Sequence, residues 1–122
     1  MKVAMTVWGN RISPVFDSAQ TILLAEIKNK NIVDQQREFL PRTVAWQLAR
    51  MLVERGIDTL ICGAISDQPA QIIKQADVCL LSFVSGNAEQ FLEAYAANKS
   101  IESFKMPGSQ EDLENVDATD KS

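Results

Sequence analysis

Short apolar runs and helical stripes succeed one another along the chain, and their order predicts its elements. Val3 to Trp8 is a β-favouring run closed by the turn pair Gly9-Asn10. The segment Arg11-Ile12-Ser13-Pro14-Val15-Phe16-Asp17-Ser18 reads as a loop. Thr21 to Lys28 opens on four apolar or β-branched residues and predicts a second strand. Asn29-Lys30-Asn31 is a polar turn that folds it back on a third strand, Ile32 to Phe39. That third strand is polar over most of its length, the pattern of an edge.

Helical spacing begins after Phe39. Pro41 opens a helix with Val44, Leu48, Met51 and Leu52 on one face, and Gly56 ends it. Ile57 to Cys62 predicts a buried strand. Ser66 or Asp67 caps a second helix, with Pro69 in its first turn and Ile72, Ile73 and Ala76 inward. Asp77 to Phe83 predicts another buried strand. Asn87, with Gln90 three residues on, caps a third helix whose apolar face is Phe91, Leu92 and Tyr95. From about Ser100 the pattern fades. The chain divides into a domain over 1–100 and an acidic, disordered tail over 101–122.

The order β-β-β-α-β-α-β-α specifies an α/β protein with a mixed five-stranded sheet and helices on its faces. The first strand is central, between the second and the fourth. Ligands of such sheets gather at the carboxyl ends of the parallel strands. Here those ends are Trp8-Gly9-Asn10-Arg11, Cys62-Gly63-Ala64-Ile65-Ser66 and Phe83-Val84-Ser85-Gly86.

The charge count changes the picture of possible partners. The 122 residues carry 12 bases and 16 acids, a net charge of -4. The segment from Pro107 to Ser122 holds five acids and one base, so the rest is neutral. A neutral body lacks the basic stripe of a nucleic-acid surface and is not drawn to anionic membranes. No signal h-region and no apolar run long enough to span a bilayer is visible, so a cytoplasmic protein with reduced cysteines is expected.

There is no histidine, which excludes an imidazole base, a His-ligated zinc and a Ser-His-Asp triad. Ser13 and Ser85 thus have no visible base. Gly63 and Gly86 stand at strand-to-helix junctions, where backbone amides suit an anion, unless each glycine only makes a turn. Arg11 is either a cation beside such an anion or a solvated loop arginine. Cys62 is either a thiolate with its pKa lowered by helix N-termini, able to hold a soft metal, or a small core hydrophobe. Cys79 in mid-strand is the weaker candidate. Asp17 could orient a water or cap a turn. The first strand carries none of the acids with which a ribonuclease-H-like nuclease holds two Mg²⁺ ions.

Two segments together carry a resemblance: Val3-Ala4-Met5-Thr6-Val7-Trp8 with Arg11-Ile12-Ser13-Pro14-Val15-Phe16-Asp17, and Gly56-Ile57-Asp58-Thr59-Leu60-Ile61-Cys62-Gly63-Ala64-Ile65-Ser66. Ser85-Gly86, leading to Glu89-Gln90-Phe91-Leu92-Glu93-Ala94-Tyr95, adds to it. The chain resembles the dinitrogenase iron–molybdenum cofactor family, the NifX-like domain also found at the C-terminus of NifB proteins. The resemblance implies a ribonuclease-H-like three-layer α/β/α sandwich. It implies a non-enzymatic carrier, storage or assembly protein for a metal–sulfur cluster (iron–molybdenum, Fe–S or Mo–Cu sulfide). Carried over, the cluster rests near Arg11, Ser13, Phe16 and Asp17, and near Cys62, the candidate metal ligand, with Gly63 and Ala64; the strand-end position adds Ser85 and Gly86 to the candidate site. Partners implied are cluster-assembly or nitrogenase-type proteins; a cluster with too few ligands in one chain could also bridge two copies, as a homodimer. With no histidine, thiolate, backbone and Arg11 must do what imidazole does in some relatives. Two other classes compete: a Mg²⁺-dependent hydrolase on the same fold, and an interaction module whose acidic tail contacts a basic partner.

Overall fold

The computed structural model describes residues 1–40 and 45–106. Its elements are β1 (Lys2–Trp8), β2 (Arg11–Ile12), β3 (Thr21–Lys28), β4 (Asn31–Phe39), α1 (Ala45–Glu54), β5 (Thr59–Ile61), α2 (Asp67–Gln75), β6 (Cys79–Leu81) and α3 (Ala88–Ala96). Single 3₁₀ turns lie at Phe16–Ser18 and Glu102–Phe104. One mixed sheet runs β4-β3-β1-β5-β6, with β2 paired to β1 off this path. β1 pairs antiparallel with β3 and parallel with β5, so its Val3 to Val7 are buried on both faces. This is the α/β architecture and the central first strand that the chain order predicts.

Each sheet face carries its own core. Val3, Met5 and Val7 point with Leu23 and Ile61 toward Phe91 and Leu92 of α3. Ala4, Ile22, Leu24, Leu60 and Cys62 face Leu48 and Leu52 of α1 and Ile73 of α2. Each large side chain buried here contributes about 2 kcal/mol. Gly56 ends α1 at φ +71°. Its N–H donates to the Val53 carbonyl (3.0 Å) and the Ile57 N–H to the Leu52 carbonyl (2.9 Å), which satisfies two end carbonyls. Asn87 caps α3, its Oδ1 accepting from the Gln90 N–H at 2.9 Å. Arg55, just past α1, pairs with Glu38 of β4 and lowers the Glu38 carboxyl below its ordinary value.

Four expectations need correction. The sheet has six strands, because Arg11–Ile12 forms β2 where a loop is expected. Gly9 at φ +62° turns the chain back, bringing Trp8 opposite Arg11 and Val7 opposite Ile12. The parallel strands β5 and β6 are only three residues each. β6 is not buried, since it ends the sheet: Cys79 is exposed and Leu80 and Leu81 are half-buried. Ile101 to Met106, assigned by pattern to the tail, pack onto the body. Phe104 meets Phe91 edge-to-face with centroids 5.1 Å apart, and its carbonyl accepts from the Ser85 N–H at 2.7 Å. The expected roles of Pro41 and Val44, and of the chain after Met106, lie outside the described residues. Among the described residues, no helix is long and apolar enough to cross a membrane.

Candidate functional site

The two chain segments that carry the resemblance meet at the carboxyl ends of β1 and β5. The Ser13 N–H donates to the Thr6 carbonyl at 2.9 Å, which turns the chain across the end of β1. Val15 then forms a parallel bridge with Ala64. The Ala64 N–H donates to the Pro14 carbonyl and the Phe16 N–H to the Ala64 carbonyl, both at 2.8 Å. Gly63 is required by this junction. A Cβ there would stand 2.4 Å from both the Ser13 and the Pro14 carbonyl oxygens, too close for any side chain. Its own backbone is not in the left-handed region, so close approach is the reason for the glycine.

A second junction closes beside the first. The Ile12 N–H donates to the Gly86 carbonyl at 2.9 Å and the Ala88 N–H to the Asn10 carbonyl at 2.8 Å. Arg11 bridges Asn87 across this seam. Gly86 adopts φ +120° with the Phe104 ring against its open side.

The predicted site residues therefore sort into different surroundings. Arg11 is exposed, with its strand partner Trp8 72% exposed beside it. Ser13 is buried and its Oγ–H donates to the Val15 carbonyl at 3.1 Å. Phe16 packs into the core under α1 and α2. Asp17 is exposed, and its Oδ2 accepts from the Ser66 hydroxyl at 3.5 Å. The amides of Ser13, Phe16, Ala64 and Ser85 are all spent on chain carbonyls. The anion cradle is expected at Gly63 and Gly86, and these four neighbouring amides are not available to it.

Cys62 reverses its expected electrostatics. It is fully buried among apolar neighbours. Burial, and then the nearby Asp17 carboxylate, push its pKa up to about 12. It is a neutral thiol at pH 7, not an activated thiolate. Among the described residues no group of three or more His, Cys, Asp or Glu side chains could hold a metal ion. Direct metal ligation thus has no donor set among the described residues, whereas charge on the rim remains.

One rim cation escapes sequence reasoning. The Arg37 guanidinium of β4 donates to the Gly9 carbonyl at 2.8 Å, on the turn that leads to Arg11. In sequence Arg37 sits among polar edge residues, and only the strand register points it toward that turn.

Known proteins are similar to this chain over most of its length. A family model described as "Dinitrogenase iron-molybdenum cofactor" matches residues 1–98, which contain both. The uncharacterized protein MJ0580 of Methanocaldococcus jannaschii is 25% identical over 108 residues, covering 75% of this chain and 92% of that protein. The crystal structure of PH0822 superposes with a TM-score of 0.75 at 14% identity, covering 84% of this chain and 95% of the other. A candidate dinitrogenase from Methanocaldococcus jannaschii superposes at 0.66 and 15% identity, covering 81% and 90%. At these identities the two structures establish likeness of fold.

Proposed function

The chain belongs to the dinitrogenase iron–molybdenum cofactor family, and from that premise we propose that it is a small non-enzymatic carrier that takes a preformed, anionic metal–sulfur cluster as cargo. In this reading its sheet, with helices on both faces, is a ribonuclease-H-like α/β/α sandwich. The observation that supports it is the backbone bridge from Val15 to Ala64, which unites the two family segments at the ligand end of the sheet.

The cargo is gripped by charge and shape, without protein–metal bonds. Arg11 supplies the cation, since a guanidinium suits the sulfide face of an anionic cluster. Trp8 and the exposed Pro14 and Val15 shield it from water. Ser13, Gly63, Ala64, Ser85 and Gly86 build the platform through their backbone bonds rather than touching the cargo. Asp17 would repel an anion, and Phe16 anchors the loop from beneath. Cys62 keeps its proton and stays in the core. One such rim covers one side of a cluster, so a second copy of the chain would complete the enclosure. Cluster-assembly or nitrogenase-type proteins would be donors or acceptors.

Anaerobic purification followed by assay of Fe, Mo, Cu and acid-labile sulfide tests the reading. A metal-bearing protein is expected, or one that takes up a cluster on reconstitution. Arg11→Ala should release the cargo, more readily as salt rises, while Cys62→Ala should keep it. A colourless protein that also refuses reconstitution overturns the proposal. Loss of the cluster in Cys62→Ala alone overturns the gripping mode.

A further inference from the structure

A cleft of about 830 Å³ opens beside this junction, on the sheet face that carries α1 and α2. Its walls are the Phe16–Ser18 turn, the end of β4 and the first turns of the two helices. The volume is that of a small-molecule pocket. Phe39 and Trp46 stand over it, 74% and 55% exposed, while Phe16, Leu40, Pro69 and Ile72 form its floor and sides. Two large aromatic rings left in water at one opening are costly unless something covers them.

Among the described lining residues Asp17 carries the only charge. The positive end of α2 does not offset it, because Asp67 already occupies the first turn of that helix. Arg11 is not on the lining. The charge that the described lining presents is negative, which disfavours an anionic sulfide cluster here.

We propose that this cleft binds an organic cation: an aromatic or branched apolar body that carries one protonated or quaternary amine. The body covers Phe39 and Trp46. The ammonium group lies between the ring faces and the Asp17 carboxylate, where both attract it. Gln20 and Gln68 at the margin can accept its remaining N–H groups. The site stands independently of the cluster reading.

Three probes with one apolar body separate charge from burial: naphthylmethylammonium, naphthylmethanol and naphthoate. Calorimetric titration of the full chain should rank them cation, neutral, anion, with the cation about three- to fivefold tighter than the alcohol. Amide shifts should move at Ala19, Gln20, Gln68 and Ile72. Asp17→Asn should abolish the preference for the cation and leave the alcohol unchanged. Trp46→Ala, an exposed position, should weaken all three. The site is refuted by preference for naphthoate, by shifts centred elsewhere, or by an unchanged ranking in Asp17→Asn. It is equally refuted if sedimentation shows a second copy covering Trp46 and shutting out the probes. Cluster loading of Trp46→Ala should match the parent protein, so either proposal can fail without the other.

Discussion

Cys62 and Cys79 carry the same thiol in opposite surroundings. Cys62 lies in the core, its pKa pushed up to about 12, whereas Cys79 is exposed on β6. Since the thiolate is the reactive form, iodoacetamide at pH 8 should label Cys79 and spare Cys62 until the chain unfolds, as peptide mass mapping would show. Equal labelling of the two would contradict the burial. The raised pKa also sets a stability slope. The unfolded thiol ionises near its ordinary 9.0 and the folded one near 12, so its contribution is whole below pH 9. It is lost as pH rises from there toward 12, at about 1.4 kcal/mol per pH unit. Denaturant melts across that range should be flatter in Cys62→Ala. Part of this was legible: Leu60 and Cys62 share a face by strand alternation, and Leu60 is plainly a core residue. What the sequence hid was depth, because the Phe16 loop that seals the site comes from far away in the chain.

At the scale of elements, turns and caps were legible and close approaches were not. The polar triplet Asn29-Lys30-Asn31 predicts its hairpin, and the structure holds Asn29 and Lys30 at positive φ between paired Lys28 and Asn31. Asn87 caps α3 as its spacing from Gln90 implies. β2 leaves no sequence pattern, because two residues are too few to show alternation. In sequence Gly63 reads as a turn or an anion cradle. Its real constraint is two carbonyls from a loop distant in sequence, which no local pattern can display. Gly63→Ala should therefore cost about 3 kcal/mol, because the Ser13–Pro14 backbone that crowds it is no flexible side chain that could swing away. Gly56→Ala should cost about 1 kcal/mol, since its φ is positive but nothing crowds it. Chemical denaturation of both variants measures the contrast, and equal losses would contradict the close-approach account.

For the molecule as a whole, connection lengths and handedness were enough to put β1 at the centre and β4 at one edge. The other limit of the body was misplaced, because Ile101, Phe104 and Met106 are isolated apolar residues in a polar stretch with no period. A chain ending at Met106 should outlast one ending at Ser100 by about 3 kcal/mol, the worth of Phe104 against Phe91, as thermal melts would register. β1 also makes its two partnerships on different schedules. Val3 meets Ala25 through a short meander, yet it meets Thr59 only after two more elements have been laid down. Loop closure makes the distant pairing the slower one, so the β1–β3–β4 meander should form early and β5 should dock late. Leu60→Ala would then speed unfolding and leave the refolding rate nearly unchanged, a split that stopped-flow kinetics can measure. The rim where Val15 joins Ala64 is thus among the last parts to assemble. A newly made chain would be well folded over half its sheet before it could hold anything at all.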